Sequence, residues 1–289
     1  IDEIIDNTVL RYVGNTPLIN VKTPQNISDK VEIYTKLEYF NPGGSVKDRP
    51  ILRMIKEAIK SGELTHDKAI LDSTSGNAGI AYSMIGATLG YEVDLVVPGN
   101  ASEERKRNIR AYGAKIITTD PIKGYDEAIR KAHEMLEENP DKYYMPDQYA
   151  NKYNPIAHYE TTGREILEQT EGKVTHFICG IGTGGTVMGV GKRLKEHNPD
   201  IKIYVIKPED FPGIEGLKPM GKEYIKPKIY REDFIEDKTF FITSEEAKDT
   251  CSTLAREMGL FVGQSSGAFM KGALELAGEI NEGMIVTLF

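Results

Sequence analysis

Two hydrophobic periodicities alternate along the chain and predict strands that are followed by helices. Short apolar or alternating runs, typical of strands, recur at 31–37, 69–71, 93–97, 115–119, 143–145, 174–179, 201–206 and 284–288. Apolar residues at helical spacing predict helices after residue 47 as far as Gly62, at 78–89, 102–113, 124–138, around 155–169, after residue 186, at 244–258 and after residue 264. Elements that alternate in this order predict an α/β fold with parallel sheets.

The alternating pattern runs as two series, which suggests two domains with a cleft between them. The first series covers residues 69–145, and the second runs from about 155 to 288. Residues 207–232 are rich in Pro, Gly and Lys and have little periodicity. A long irregular stretch inside a domain is more often functional than a linker, so we interpret it as a lid.

Composition and charge exclude several classes of function. The net charge of −8 argues against a nucleic-acid partner. Two distant cysteines and five histidines without ligand-like spacing predict no metal and a reducing compartment. No run approaches the length of a membrane span and no signal peptide is evident, so we expect no membrane partner and a cytoplasmic location.

The segment NPGGSVKDR, residues 41–49, places a lysine at the start of a predicted helix. Its Pro and Gly residues set a turn, and Ser45 with Asp48 three positions later is interpreted as a capping pair. Lys47 then lies at the positive end of the helix, where the charged ammonium form is disfavoured. The alternative is a surface lysine with a solvated head group.

Three polar loops each lie between a predicted strand and a predicted helix. The loop GTGGT, residues 182–186, offers backbone N–H groups and hydroxyls to a phosphate. The loop TSGN, residues 74–77, suits a carboxylate, with an ordinary helix cap as its alternative. The third loop, GQSSG at 263–267, can equally be a capped helix start.

The 182–186 loop also allows a dinucleotide interpretation. Gly180, Gly182 and Gly185 satisfy the spacing of a dinucleotide-binding fingerprint. That fingerprint requires an acidic residue at the end of the next strand, where Lys207 stands instead. A non-catalytic dinucleotide-binding module and a purely structural tight turn remain as alternatives at this stage.

Taken in order, these motifs resemble the cysteine synthase and cystathionine β-synthase family of fold-type II pyridoxal-phosphate enzymes, which is similar to the tryptophan synthase β chain. The resemblance spans essentially the whole chain. It implies two three-layer α/β domains with mostly parallel sheets and pyridoxal 5′-phosphate in the interdomain cleft. Residues 41–152 would form the smaller, mobile domain, and residues 1–40 plus 153–289 the larger one. A homodimer is also implied.

The resemblance assigns roles residue by residue. Lys47 would form a Schiff base with the cofactor and then transfer the substrate Cα proton. Asn77 would bond the cofactor 3′-oxygen, and Ser265 would meet the pyridine nitrogen. The cofactor phosphate would be bound by Gly182, Thr183, Gly184, Gly185 and Thr186. The substrate carboxylate would be bound by Thr74, Ser75, Gly76, Asn77 and Gln148.

The implied reaction is a β-replacement in cysteine metabolism that passes through an aminoacrylate intermediate. O-acetylserine or O-phosphoserine would react with sulfide to give L-cysteine. The nearest alternative is a cysteine lyase that releases hydrogen sulfide, with water or a thiol as its second substrate.

Several positions depart from the family pattern and bear on the substrate. Ala78 replaces a threonine, and Gln264 could add a polar contact near the cofactor ring or face solvent. In the loop 208–230, Lys218 could bind a phosphorylated leaving group, although a solvated lysine is the favoured interpretation. An acidic residue near this loop could activate a second nucleophile, the candidates being Asp210, Glu215 and Asp233.

Overall fold

The chain forms two compact units in a computed structural model that describes residues 1–22, 27–234 and 238–289. The first unit comprises residues 1–13 and 41–154, and the second comprises 14–40 and 155–289. The division predicted from the sequence placed residues 1–13 in the larger domain. They belong instead with 41–154, because Leu10 is buried in the apolar core of that unit.

The helices and strands follow the predicted alternation over most of the chain. In the first half they are α1 (Asp2–Asp6), β1 (Leu18–Val21), β2 (Val31–Lys36), α2 (Asp48–Ser61), β3 (Ala69–Ser73), α3 (Asn77–Leu89), β4 (Val93–Pro98), α4 (Glu103–Ala111), β5 (Lys115–Thr119), α5 (Gly124–Glu138) and β6 (Tyr143–Tyr144). In the second half they are α6 (Tyr153–Glu160), α7 (Thr162–Gln169), β7 (His176–Gly180), α8 (Gly185–His197), β8 (Lys202–Pro208), β9 (Thr239–Ile242), α9 (Ser244–Met258), α10 (Gln264–Glu279) and β10 (Gly283–Leu288).

The first unit contains a four-stranded parallel sheet in the order β5-β4-β3-β6. Every residue of β3 and β4 is buried, which is typical of parallel strands covered on both faces. The carboxyl ends of parallel strands lie at one edge of a sheet, and loops at this edge are the usual ligand-binding positions of α/β folds. The 74–77 loop follows β3 at that edge.

The second unit contains a six-stranded sheet in the order β1-β2-β10-β7-β8-β9. β1 pairs with β2 in the antiparallel sense, and the other described pairs are parallel. The 182–186 loop joins the end of β7 to α8, so it also lies at the carboxyl edge of its sheet.

The structure departs from the sequence-based elements in four places. The short elements α1, β1 and β9 were not predicted, because a run of four or five residues carries too little periodicity to be distinguished from a loop. The single helix expected around 155–169 is two helices, α6 and α7, which are separated at Thr161.

Among the described residues, no helix is both long enough and apolar enough to cross a lipid bilayer.

Candidate active site

Lys47 is held at the start of α2 by its own loop. It is the N-cap residue, its side chain is half-buried, and its backbone N–H donates to Ser45 Oγ at 3.2 Å. The carboxylate of Asp48 accepts from the backbone N–H of Gly43 at 2.5 Å. The predicted Ser45–Asp48 capping pair is therefore wrong, since each side chain closes the loop through a different bond.

Gly43 is required by the close approach of this carboxylate. A Cβ at position 43 would lie 2.4 Å from Asp48 Oδ1, which no side chain could tolerate without displacing it. The positive end of α2 thus meets a lysine whose backbone position is fixed on both sides. The structure therefore places Lys47 at the helix start, as the sequence predicted.

The 74–77 loop has a rigid framework and exposes a few free donors. Thr74 is buried, and its Oγ1 accepts from the N–H groups of Gly76 and Gly79 at 3.0 and 2.9 Å. For the N–H groups of Asn77 and Ala78, at the start of α3, no hydrogen-bond partner is found among the described residues. These donors point to an anion at this helix start.

The end of β3 is fixed from the side by amide and phenol groups. The Gln148 amide donates to the Ser73 carbonyl at 3.1 Å, and so does the Tyr125 hydroxyl, also at 3.1 Å. Gln148 therefore supports the loop within the first unit in this structure. The prediction that it also binds the substrate carboxylate remains a prediction.

A buried carboxylate lies immediately before the same loop. Asp72 accepts from the Ser73 N–H at 2.7 Å and from the Tyr82 hydroxyl of α3. Burial raises the pKa of Asp72 from its ordinary value of 3.8 to about 7, although hydrogen bonds from Tyr82 and from the backbone of Ser73 and Gln148 lower it. Sequence reasoning missed this residue, because an Asp at the end of a strand gives no local sign of burial.

The 182–186 loop has the geometry of a phosphate site. Gly184 has a left-handed φ of +85°, and a Cβ there would lie 2.9 Å from the Cβ of Tyr230. No partner is found among the described residues for the backbone N–H groups of Gly184 and Thr186. Free N–H groups at the start of α8 and nearby hydroxyls are the donors that a phosphate group needs, so these residues fit that part of the predicted cofactor.

The hydroxyl of Thr186 is in turn oriented by a buried histidine. His158 Nε2 lies 3.3 Å from Thr186 Oγ1, and His158 Nδ1 lies 3.0 Å from Thr162 Oγ1. The sequence analysis assigned no role to His158. The four-residue spacing of His158 and Thr162 could have indicated a side-chain pair on one helical face, although two helices contribute here.

Ser265 lies in the first turn of α10, and Gly216 approaches it. A Cβ at Gly216 would be 3.6 Å from Ser265 Oγ. The neighbouring Gln264 amide donates to Ser244 Oγ at 2.5 Å and to the Ser244 carbonyl at 3.3 Å. Gln264 thus joins α10 to the start of α9, and the interpretation that it simply faces solvent is wrong.

The irregular 207–232 segment is attached to the second unit. Ile214 is buried, and the Lys218 N–H donates to the carbonyl of Ile181 at 2.8 Å, one residue before the phosphate loop. The Lys218 side chain is only 5% exposed, and its Nζ lies 5.9 Å from the ring centroid of Tyr224. The favoured interpretation of Lys218 as a solvated lysine is therefore wrong.

The three acidic residues of this region lie on the surface. Asp210 and Glu215 are exposed, and Asp233 forms an exposed ion pair with Arg231 at 2.6 Å. Asp233 is exposed and its arginine partner lowers its pKa, so it is a solvated carboxylate. Within the described ranges, no group of three or more His, Cys, Asp or Glu residues could hold a metal ion.

A family model described as "Pyridoxal-phosphate dependent enzyme" matches residues 9–289. The chain belongs to this family. It is 50% identical to a cysteine synthase of Aquifex aeolicus over 98% of this chain and 88% of that protein. Its fold matches a hydrogen sulfide-producing enzyme of Fusobacterium nucleatum with a TM-score of 0.89, at 38% identity over 98% of this chain and 96% of the other. A cysteine synthase structure from Entamoeba histolytica matches with a TM-score of 0.90, at 35% identity over 97% and 86% of the two chains.

These findings confirm the predicted family, the α/β fold class, the enzyme assignment and pyridoxal phosphate as the cofactor. They leave the dinucleotide-binding interpretation of Gly180, Gly182 and Gly185 without support. The basic Lys207, which that interpretation could not explain, pairs with Glu232 at 3.0 Å.

Proposed function

We propose that the chain is a cysteine synthase that replaces the β-substituent of O-acetylserine or O-phosphoserine by sulfide. The observation that carries this proposal is Lys47 at the start of α2, in a chain whose two other helix-entry loops present donors for a phosphate and a carboxylate. The similarity to cysteine synthases over nearly the whole chain supports the same reaction.

Lys47 would be the catalytic residue. Bound pyridoxal phosphate supplies an electron sink for negative charge at the substrate Cα. Lys47 Nζ would hold the cofactor aldehyde, remove the Cα proton once the substrate has displaced it, and return a proton at the end. The anchored loop keeps Nζ within a narrow region while these transfers take place.

The 182–186 loop would hold the phosphate end of the cofactor. Its N–H groups and hydroxyls would bind the phosphate, with Thr186 oriented by His158. Ser265 would bond the pyridine nitrogen, and Asn77 the 3′-oxygen. A serine does not hold that nitrogen protonated as a carboxylate would, which favours loss of the β-substituent over transamination.

The substrate carboxylate would be bound at the start of α3. Ser75 and the N–H groups of Asn77 and Ala78 would contact it directly, because Thr74 Oγ1 already accepts two hydrogen bonds. Gly76, Thr74 and Gln148 would then shape the loop. Ala78 contributes a backbone donor without a hydroxyl.

A cysteine lyase that releases hydrogen sulfide is the second candidate, favoured by the likeness to the Fusobacterium enzyme. Initial rates with O-acetylserine plus sulfide, O-phosphoserine plus sulfide, and cysteine alone would separate the two. We expect the first or second mixture to be turned over fastest, and a Lys47→Ala variant to be inactive in all three. Faster turnover of cysteine alone would overturn the synthase assignment.

The buried Lys218 would select between the two leaving groups. Its backbone bond to Ile181 does not involve the side chain, so Lys218→Gln removes the charge and keeps that bond. If the ammonium group meets a phosphate, this variant will lose kcat/KM for O-phosphoserine and keep it for O-acetylserine. Equal losses for both substrates would assign Lys218 to packing.

We further propose that the enzyme works as a cytoplasmic homodimer, as its sequence motifs imply. Light scattering behind a size-exclusion column measures the mass directly. A monomer across the micromolar range would contradict the dimer.

A further inference from the structure

The mechanism above makes no use of Asp72, the most deeply buried carboxylate next to the substrate loop. Asp72 is 3% exposed and is the penultimate residue of β3, two positions before Thr74. Its two oxygens accept different donors, the Ser73 N–H on Oδ1 and the Tyr82 hydroxyl on Oδ2. It therefore joins the end of β3 to α3, on either side of the loop.

The strongest influences on the pKa of Asp72 are burial, hydrogen bonds and a like charge, and none of them is a cation. Tyr82 of α3 donates to it, and Asp147 in the segment after β6 adds a like charge. The charge of Asp72 contributes to the raised pKa of three further tyrosines, namely Tyr125 of α5, Tyr144 of β6 and Tyr149 of the following segment. Burial raises the pKa of Asp72 to about 7, because the hydrogen-bond donors around the carboxylate offset its desolvation only in part.

We propose that Asp72 is a positioning residue whose ionised form holds the 74–77 loop in the geometry that binds the substrate carboxylate. This inference rests on the proposed function for the identity of the ligand. The bonding at Asp72 itself is independent of any ligand.

Protonation changes the bonding pattern in a defined way. The Ser73 N–H can only donate and occupies Oδ1, so a proton on the carboxyl group is better accommodated on Oδ2, beside the Tyr82 hydroxyl. Asp72 would then donate to the Tyr82 hydroxyl oxygen, and the Tyr82 O–H, which keeps its proton, would turn away from Asp72. The bond that joins β3 to α3 is weaker in that state, because a charge-assisted hydrogen bond becomes a neutral one. The free N–H groups at the start of α3 move with Tyr82, since both belong to the same helix.

Two substitutions separate ionisation from packing. Asp72→Asn keeps an acceptor for the Ser73 N–H and donates to Tyr82, so it mimics the protonated form at every pH. Tyr82→Phe removes a donor that lowers the pKa of Asp72, so the ionisation moves to higher pH. Asp94→Asn is the matched control, because Asp94 is a buried aspartate on the adjacent strand β4 that accepts from a different tyrosine, Tyr143, at 2.8 Å.

The first measurement is the pH profile of KM for the amino-acid substrate of the holoenzyme, between about pH 5.5 and about pH 8.5. We expect KM of the unmodified enzyme to fall roughly fivefold as Asp72 ionises, the size expected for one weakened hydrogen bond, with a smaller change in kcat. D72N should keep the high KM throughout, and Y82F should move the transition upward by about one pH unit. D94N should follow the unmodified profile.

The second measurement is amide hydrogen exchange of residues 73–79 in the substrate-free holoenzyme, corrected for intrinsic rates. We expect protection to increase across the same pH range in the unmodified enzyme and to be constant in D72N. A D72N variant that keeps the normal KM profile and the normal exchange response would overturn the inference. If the enzyme turns over none of the proposed substrates, the proposed function is wrong, and exchange alone then decides the role of Asp72. If D72N does not fold, the direction of the Y82F shift decides it, since an unshifted profile contradicts the inference.

Discussion

The carboxylate of Asp48 accepts a hydrogen bond from the backbone N–H of Gly43, five residues earlier, and so closes the loop that presents Lys47. Asp48 itself is fully buried, so the bond is shielded from water. The loop is defined by this contact on one side and by the first turn of α2 on the other. The position of Lys47 thus depends on a bond that it does not make itself.

Removal of that bond should destabilise the fold and slow cofactor attachment. Asp48→Ala leaves the Gly43 N–H without its acceptor, which costs about 1–3 kcal/mol of unfolding free energy for a buried group. Asp48→Asn keeps an oxygen acceptor and should recover part of this loss. Urea unfolding measures the stability, and stopped-flow absorbance measures the rate of cofactor attachment. Equal effects of the two substitutions would assign the role to charge rather than to the hydrogen bond.

Lys47 should be the residue that bonds the cofactor. Borohydride reduction of the holoenzyme followed by peptide mass spectrometry should place the added mass on Lys47. A Lys47→Ala variant should carry none and lose activity by roughly a thousandfold or more, because it lacks both the nucleophile and the proton carrier. Lys56→Ala is the control, since Lys56 lies on the same helix and forms a surface ion pair with Asp2. Modification at any other lysine would contradict the assignment.

Gly184 should be needed both for the fold and for cofactor affinity. Gly184→Ala forces a side chain into a left-handed conformation, at a cost of about 1–2 kcal/mol, and towards Tyr230. Gly259→Ala imposes similar backbone strain at φ +68°, where a Cβ would meet nothing within 4 Å. Titration with pyridoxal phosphate should show weaker binding for Gly184→Ala only. Equal affinities of the two variants for pyridoxal phosphate would show that the 182–186 loop does not bind the phosphate.

Asp72 should make the protein less stable at neutral pH than in acid. Its pKa is raised on folding, so its contribution is fully favourable below about pH 4 and is lost as the pH rises through about 7. The three-unit difference corresponds to a loss on the order of 4 kcal/mol. Urea unfolding at about pH 5 and about pH 8 should therefore show a decrease that is much smaller in Asp72→Asn. A decrease of the same size in the variant would assign the pH dependence to other groups.

The sequence by itself determined the alternation of strands and helices, the lysine at a helix start and the three polar loops. These features are local, because periodicity, glycine spacing and helix-start residues are all read within one turn or one strand. The sequence also indicated the family, because several of its motifs occur in the family's order. The sequence alone also showed that Lys207 stands where a dinucleotide site requires an acidic residue.

Tertiary structure decided which partners those local features acquire. The Asp48 side chain bonds the backbone of Gly43 instead of that of Ser45, Gln264 bonds Ser244, and Lys218 is buried within an irregular segment. Burial and long-range hydrogen bonds depend on elements that are far apart along the chain, so no local pattern contains them. Asp72 is the clearest case, because its pKa is set by burial, by Tyr82 of α3 and by residues of the segment after β6 that only the folded unit brings together.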